Sequence, residues 1–387
     1  MNPLVSTARW LGSLAVAGAL LLTGTGTAGA VGGTSSGTSS GTSGSMSGGT
    51  SGGPVAGVPQ TVELDSSPAS VAVSPDGRRA YVAVKDTTNG AKVKVVDTQS
   101  GAVTAVVTLS TGFGAGPGPL AVSPDGSRVH VLFSTARKAP LSVLGTIDTA
   151  TGTVVSSMAA PDQPRPDGTL PGALTSLAVG PDGATVYVGQ DGPARYHRPA
   201  EPGARVLSFS PQQQAFTAAV PVPGRYLGSI VTAPNGDTAY TATDENLVRL
   251  DTGTGTPTVA GTTPAPIGAV PSLALSPDGT RLYGVGNNGT GYAVDLATDT
   301  LATLDIAPGQ WLQNPSVAAD GSRLYMLQQD LTSSDGKASV LALDTATGAL
   351  VPGEEITGLA WVTALALGPD AHTFYLAVNS TLRILAL

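Results

Sequence analysis

The sequence predicts an all-β fold built from repeated units, and three observations lead to this prediction. A tight turn followed by a short apolar segment with an aromatic residue near its start recurs seven times. Successive copies lie about 40 to 60 residues apart, the length of one four-stranded unit. Charged residues make up only 12% of the 387 residues, while 51 Gly and 30 Pro supply turn formers. Such a composition is typical of many short strands joined by tight turns.

The recurring turn has the consensus Pro-Asp-Gly. Pro fixes φ at the second position of the turn, and Gly accepts the positive φ that closes the hairpin. The seven copies are Pro75-Asp76-Gly77, Pro124-Asp125-Gly126, Pro181-Asp182-Gly183, Pro234-Asn235-Gly236, Pro277-Asp278-Gly279, Ala319-Asp320-Gly321 and Pro369-Asp370-Ala371. Seven repeats of blade length predict a seven-bladed β-propeller.

Each repeat is expected to supply four strands. In the first repeat we predict strands over residues 70–73, 80–84, 93–96 and 103–109. The third and fourth strands are joined by a second turn, Asp-Thr-x-x-Gly, in which Asp bonds the following backbone. This second turn occupies residues 97–101, 148–152, 251–255 and 344–348, with a degraded copy at 295–299 and the largest departure at 210–214.

The last repeat contains only three predicted strands, at residues 363–367, 373–378 and 382–387. Residues 60–64 precede the first repeat and have no blade of their own. An open ring would leave unpaired strand edges and lose one interface between blades. We therefore expect the 60–64 strand to complete the last blade beside its three C-terminal strands.

The N-terminal part of the chain predicts export. Residues 1–30 combine one positive charge, an apolar run over 10–22 and a small-x-small site ending at Ala30, the pattern of a secretory signal peptide. The alternative is a membrane anchor, but the run is well short of the ~20 residues that cross a bilayer. Residues 31–57, rich in Gly, Ser and Thr, are predicted to be a disordered linker, and residues 58–387 the propeller. The expected location is secreted or extracytoplasmic, with envelope association left open.

Charge and composition also limit the partners. The net charge of −8 disfavours binding to nucleic acid and to anionic membranes. The chain has no Cys, which excludes disulfides and thiolate catalysis. More Arg than Lys, with abundant Ala and Gly, is typical of a GC-rich bacterial source. We expect a monomer with no membrane span after signal cleavage.

The repeat resembles that of the YVTN-type β-propeller family over about residues 58–387. The matching pattern is Ser-Pro-Asp-Gly, an aromatic in the second strand, and then Val-x-Asp-Thr-x-Thr-Gly. Of the Tyr-Val-Thr-Asn tetrad only the Tyr is kept, at Tyr81, Tyr187, Tyr240 and Tyr375. An activity that depends on the Asn is therefore not carried over. The resemblance implies an extracytoplasmic binding scaffold.

Up-and-down strands divide the connections between two faces of the disc. Both turn types share one face, here called the uniform face. The connections between second and third strands and between blades share the other, here called the variable face. Binding residues usually lie on variable loops held by a rigid frame. We therefore expect the functional site on the variable face.

Three aromatic residues are the first candidates for that site. Tyr226, Trp311 and Trp361 each lie eight residues before a turn Pro or its equivalent, which places them at the start of innermost strands around the channel mouth. They can stack on a sugar or hold a peptide side chain. Packing between blades is the alternative role. Neighbouring residues that can add hydrogen bonds are Arg225, Gln310, Gln313 and Asn314.

The second candidate is the insertion over residues 190–204. It contains Arg195, Tyr196, His197 and Arg198, the one locally basic and aromatic patch, which can hold a carboxylate or phosphate. A solvated loop is the alternative interpretation. His130 takes the place of the second-strand Tyr and is expected to be structural, which leaves His197 as the functional candidate.

These observations favour a binding or interaction propeller without catalytic activity, whose ligand is a peptide, glycan or small molecule. No known catalytic motif is present. The alternative is a propeller hydrolase or lyase, similar to lactonases, with a metal or a His197-based site at the channel mouth; a purely structural envelope component is a third option. No cofactor is expected, although a calcium ion in the channel stays open.

Overall fold

The structure is a computed structural model and describes residues 59–86, 90–112, 115–135, 142–161, 171–194, 200–264, 272–286, 288–306, 310–330 and 334–386. In these residues the strands form seven antiparallel sheets of four strands each. The first strands of neighbouring sheets contact one another around a common axis. The fold is therefore a seven-bladed β-propeller, which confirms the predicted fold class.

The strands of each blade are given from the axis outward. Blades 1 to 3 contain β2 (Ser67–Val73), β3 (Arg79–Asp86), β4 (Gly90–Asp97), β5 (Val103–Ser110); β6 (Gly116–Val122), β7 (Arg128–Ser134), β8 (Ser142–Asp148), β9 (Thr153–Ala159); and β10 (Leu174–Val179), β11 (Val186–Gln190), β12 (Arg205–Ser210), β13 (Ala215–Pro221). Blades 4 and 5 contain β14 (Leu227–Thr232), β15 (Thr238–Thr243), β16 (Asn246–Asp251), β17 (Thr258–Pro264); and β18 (Ser272–Leu275), β19 (Arg281–Val285), β20 (Gly291–Asp295), β21 (Thr300–Thr303). Blades 6 and 7 contain β22 (Trp311–Val317), β23 (Arg323–Gln329), β24 (Lys337–Asp344), β25 (Ile356–Ala360); and β26 (Val362–Leu367), β27 (Thr373–Val378), β28 (Thr381–Ala386), β1 (Gln60–Glu63).

The ring is closed as the sequence predicts. β1 pairs antiparallel with β28, with Gln60 opposite Ile384 and Glu63 opposite Thr381. The amide of Leu64 extends the pairing by donating to the carbonyl of Ser380 at 2.8 Å. Val62 and Leu64 are buried in the cluster shared by blades 7 and 1. The predicted signal peptide and linker lie outside the described residues, among which no helix is long and apolar enough to cross a membrane.

The innermost strands begin earlier than predicted because they contain bulges. In β2 the pairing register shifts between Pro68 and Ser70, so the strand starts at Ser67 instead of residue 70. The same irregularity occurs near the start of the innermost strand in blades 2, 3, 4, 6 and 7. A bulge adds one residue and turns the local chain. Side chains at these positions therefore do not follow simple strand alternation.

Neighbouring blades are joined by hydroxyl groups as well as by apolar packing. Near the axis, Ser or Thr hydroxyls of one blade donate to backbone carbonyls of the next innermost strand. These bonds run from Ser70 to Gly118 at 2.8 Å, from Thr175 to Leu227 at 3.1 Å and from Thr363 to Pro68 at 3.0 Å. The last of them crosses the closure point. Each such bond contributes about 1 kcal/mol.

Both turn types lie on one face, as predicted. In four blades the Thr hydroxyl of the second turn donates to the carbonyl of the Gly in the first turn. The pairs are Thr98 with Gly77, Thr149 with Gly126, Thr252 with Gly236 and Thr345 with Gly321. This contact makes the uniform face short and regular.

The Pro-Asp-Gly turns also contact one another around the uniform face. A Cβ placed on the turn Gly would lie 3.1–3.9 Å from the Pro ring of the preceding blade. The pairs are Gly126 with Pro75, Gly183 with Pro124, Gly236 with Pro181, Gly279 with Pro234, Gly321 with Pro277 and Gly77 with Pro369. Only the seventh pair departs: Ala319 stands where Pro is expected, and the next turn has Ala371 where Gly is expected. The Cβ of Ala371 therefore has room, because Ala319 has no Pro ring at this contact.

This pairing predicts that Ala319 and Ala371 are energetically coupled. Ala371 has φ +60°, which costs an L-residue about 1–2 kcal/mol. Ala371→Gly is therefore expected to stabilise the protein by about 1 kcal/mol. Ala319→Pro alone should destabilise, because the ring meets the Cβ of Ala371, but it should be tolerated together with Ala371→Gly. A double-mutant cycle of urea unfolding measures the coupling; strictly additive effects would contradict it.

Candidate functional site

The predicted site residues fall at two separate interfaces between blades, here called seams. Trp311, Gln313, Asn314 and Trp361 lie at or near the seam of blades 6 and 7. Arg225 and Tyr226 lie at the seam of blades 3 and 4. All are on the variable face, and the three aromatic residues are at the start of innermost strands, as predicted. They do not converge on one place, because blades 4 and 7 are three blades apart.

At the seam of blades 6 and 7, two Gln side chains bond each other, and one of them bonds the backbone of blade 7. Trp311 begins β22 and lies opposite Gln329 of β23. Gln313 donates through Nε2 to Oε1 of Gln329 at 3.2 Å, and Gln329 donates through Nε2 to the carbonyl of Val362 in blade 7. Trp311 and Gln313 therefore lie on the side of blade 6 that faces blade 7. Gln313 already has a partner within the protein.

Trp361 is the most exposed aromatic side chain among the described residues, with 55% of its surface accessible. It lies between β25 and β26 in a left-handed conformation, φ +53°. Its amide donates to the carbonyl of Gly336 at 2.9 Å, and its carbonyl accepts from the amide of Asn379 at 3.2 Å. A left-handed non-Gly residue costs about 1–3 kcal/mol and persists where its surroundings enforce it. Here two backbone bonds enforce it.

The indole of Trp361 lies flat against Gly336. A Cβ on Gly336 would come within 2.4–2.8 Å of the indole ring atoms, so any other residue would displace the ring. Gly336 directly precedes β24, the third strand of blade 6. The indole therefore extends away from the axis, over the preceding blade, instead of over the channel mouth. One face of the ring is covered by Gly336 and the rest is open to solvent.

A polar cleft of about 280 Å³ lies at the variable end of blade 6, on the side of the blade that faces blade 5. Its polar lining comes from the ends of β23 and β24 and from the residue before β22. Within the described part of the chain, four of these side chains make no hydrogen bond, although Asp330 does. The four are Gln310, Gln328, Lys337 and Ser339. Lys337, in the cleft lining, directly follows Gly336, on which the indole lies.

Of the cleft residues, only Gln310 was predicted from the sequence as part of a site. Their signal in the sequence is that Gln328 and Ser339 interrupt an apolar alternation. Leu324 and Met326 on β23, and Leu341 on β24, face blade 5 in a buried cluster. Gln328 lies opposite Ser339 and continues the same side of the sheet. Two polar residues paired on an otherwise apolar side mark the end of the core.

The seam of blades 3 and 4 is held by backbone contacts. The hydroxyl of Tyr226 accepts from the amide of Ala200 at 3.0 Å, and the carbonyl of Arg225 accepts from the amide of Gly192 at 2.8 Å. Oδ1 of Asp244 accepts from the amides of Arg225, at 2.8 Å, and Tyr226, at 3.2 Å. These bonds support the packing role for Tyr226. Predicted residues Arg195, Tyr196, His197 and Arg198 lie outside the described residues, in a segment whose ends are fixed beside Tyr226.

The turn carboxylates are engaged in their own turns. Oδ1 of Asp125 accepts from the hydroxyl of Ser123 and from the amide of Ser127 at 3.0 Å. These hydrogen bonds lower the pKa of Asp125 to about 2. Across the described ranges, no three His, Asp or Glu side chains lie together as a metal-ligand set.

His130 is buried in blade 2. Nδ1 lies 3.1 Å from the hydroxyl of Thr146, and the ring packs edge-on against Phe209 with centroids 6.4 Å apart. Nε2 has no partner among the described residues. Burial, with a smaller effect of Arg128, lowers the pKa of His130 to about 4. His130 is thus a neutral core residue, as expected, and His372 is exposed.

A scan against protein-family models finds no match for the chain, and a search of curated proteins finds no significant similarity. The resemblance to YVTN-type repeats therefore stays a prediction from the sequence.

His130 is expected to make the fold sensitive to acid. The folded pKa is about 4 and the ordinary value is 6.5, so between these values the unfolded chain binds a proton that the folded protein does not. Stability is full above pH 6.5 and falls as the pH drops towards 4, by about 3 kcal/mol in total. His130→Tyr restores the residue of the other six repeats. This variant should not show the loss of stability at acid pH that comes from His130. Urea unfolding near neutral and near pH 4.5 measures it; an equal loss in both proteins would refute the assignment.

Proposed function

We propose that the protein is an exported binding propeller without catalytic activity, and that its ligand is a neutral glycan held at the variable end of blade 6. The observation that carries this proposal is the exposed indole of Trp361. The proposal joins the indole, Gly336 beneath it and the polar cleft of blade 6 into one site. Export is inferred from the N-terminal sequence pattern of residues 1–30.

The conformation of Trp361 argues for a surface that is used. An exposed indole at a left-handed position gains little from burial and adds backbone strain. A smaller residue, such as Asn or Gly, would fit the same backbone with less strain. The indole lies on the bare backbone of Gly336, which fixes its orientation without covering its outer part. A rigid aromatic surface of this kind stacks on the apolar face of a sugar ring.

The cleft supplies the polar half of the site. Gln310 and Gln328 offer amide donors and acceptors, and Ser339 offers a hydroxyl. Lys337 and Asp330 balance each other in charge, so the cleft favours a neutral ligand rich in hydroxyl groups. These side chains belong to strand ends of a rigid blade, which limits the entropy lost on binding. A chain of sugar rings can place one ring on Trp361 and the hydroxyls of the next in the cleft.

Two substitutions test the site by different routes. Trp361→Asn removes the indole but suits the left-handed backbone. Gly336→Ala keeps the indole and forces it to move, because the new Cβ occupies its place. Val106→Ala is the control, since Val106 is also exposed, at 51%, on the outer strand β5. On glycan and peptide arrays the first two variants should bind at least about tenfold more weakly than the wild type, and the control should be unchanged.

The array outcomes separate the parts of the proposal. Glycan binding that both site variants weaken supports it. Peptide binding that depends on Trp361 would keep the site and overturn the ligand class. Binding that is insensitive to both variants would overturn the site, provided that their melting temperatures match the wild type.

A further inference from the structure

Away from the variable face, three of the second-strand Tyr residues lie beside a Thr across a seam. Burial raises the pKa of Tyr187, and a hydrogen bond with Thr252 of the next blade lowers it. Two other seams show the same contact between a second-strand Tyr and the Thr of the second turn. These pairs are Tyr283 with Thr345, and Tyr375 with Thr98 across the closure point. The Thr in each case donates to a carbonyl in the first turn of its own blade.

The seam of blades 4 and 5 lacks this contact. The second turn of blade 5 has Leu296 where blades 1, 2, 4 and 6 have Thr, so Tyr240 packs near an apolar side chain instead of a hydroxyl. Tyr240 is only 8% exposed, yet its hydroxyl makes no hydrogen bond to any described residue. The same turn has Asp299 in the place of Gly, at φ +54°. Both departures from the repeat therefore occur within one turn.

These departures border one cavity. It measures about 170 Å³ and lies between the outer strands of blades 4 and 5. Its walls include Tyr240, Leu247 and Arg249 from blade 4 and Leu296, Asp299 and Leu301 from blade 5. Tyr292 also lines the cavity, and its buried hydroxyl has no partner in the described structure. A buried phenol without a partner is rare in native proteins and calls for an explanation.

The two charges on the cavity rim come from different blades. Arg249 lies opposite Tyr240 on the neighbouring strand, and Asp299 lies in the facing turn. Burial raises the pKa of Tyr240, Arg249 lowers it and Asp299 raises it, so both charges are near the phenol. Arg249 and Asp299 form no ion pair with each other or with any other described residue. The exposed rim of the cavity thus has a cation on one side and an anion on the other.

We infer that this cavity binds a small zwitterion with an aliphatic body, of the amino-acid class. The guanidinium of Arg249 would receive the ligand carboxylate, and the carboxylate of Asp299 would receive its ammonium group. The hydroxyl of Tyr240 would gain the hydrogen bond that Leu296 denies it. Leu247, Leu296 and Leu301 would surround an aliphatic side chain. The volume, below the ~300 Å³ of drug-sized pockets, limits the ligand to a single small molecule.

Calorimetric titration of the full chain with L-leucine tests the inference. Isocaproate lacks the ammonium group and isoamylamine lacks the carboxylate, so each should bind at least about tenfold more weakly than L-leucine. Asp299→Gly restores the residue of the repeat and relieves the left-handed strain, so this variant is expected to fold. Asp299→Gly and Arg249→Gln should each weaken L-leucine binding at least about tenfold. Arg78→Gln, at an exposed Arg on the uniform face, should leave it unchanged.

The results decide the inference in every case. L-leucine binding that needs both ligand charges and both side chains confirms it. It is overturned if L-leucine gives no binding at millimolar concentration, or if isocaproate binds as tightly, which would mark a simple anion site. Binding that survives Asp299→Gly and Arg249→Gln, with melting temperatures equal to or above that of the wild type, overturns it as well.

Discussion

The pairing of β1 with β28 is the interaction on which the rest of the structure depends. It joins segments from opposite ends of the described chain and supplies the fourth strand of blade 7. It also places Val62 and Leu64 in the core between blades 7 and 1. Burial of two such side chains contributes about 3–6 kcal/mol. Because every blade packs against two neighbours, the seven seams form a closed series only when this strand is in place.

The seams repeat the same few contacts, and two of the departures from them occur at the seams of the candidate sites. At blades 6 and 7 the turn contact between Pro and Gly is replaced by Ala319 and Ala371, and Trp361 lies on the variable face of the same seam. At blades 4 and 5 the contact between Tyr and Thr is lost through Leu296, and a cavity lies there. A regular repeat needs no function to explain its residues. A residue that breaks the repeat, adds strain and lies exposed calls for a separate reason.

The sequence contains most of the fold because the fold depends on local turn chemistry. Pro and Gly fix the backbone of each turn, so their spacing sets the number of blades, and the strand left over at residues 60–64 indicates the closure. The starts of the innermost strands were predicted less well. Their bulges depend on contacts with neighbouring strands that no short sequence pattern specifies. The predicted placement of Trp361 at the start of a strand is correct, but its direction depends on a left-handed φ and on Gly336, which is distant in sequence.

The candidate sites were harder to predict for the same reason. The polar cleft requires the ends of β23 and β24 to be placed beside the residue before β22. The cavity of blades 4 and 5 depends on what Tyr240 would have contacted, and that becomes visible only when the seams are compared. The degraded turn at residues 295–299 was evident in the sequence, but its consequence was not. Local sequence patterns predict turns, whereas contacts between blades can be identified only in the structure of the closed ring.

The most direct measurement of ring closure compares two deletions by thermal unfolding. Removal of residues 59–64 takes away β1 and Leu64, and it should lower the melting temperature by at least about 5 °C. Removal of residues 31–53 takes away none of the described strands and should leave it unchanged. Equal melting temperatures for the two deletions would contradict closure by β1.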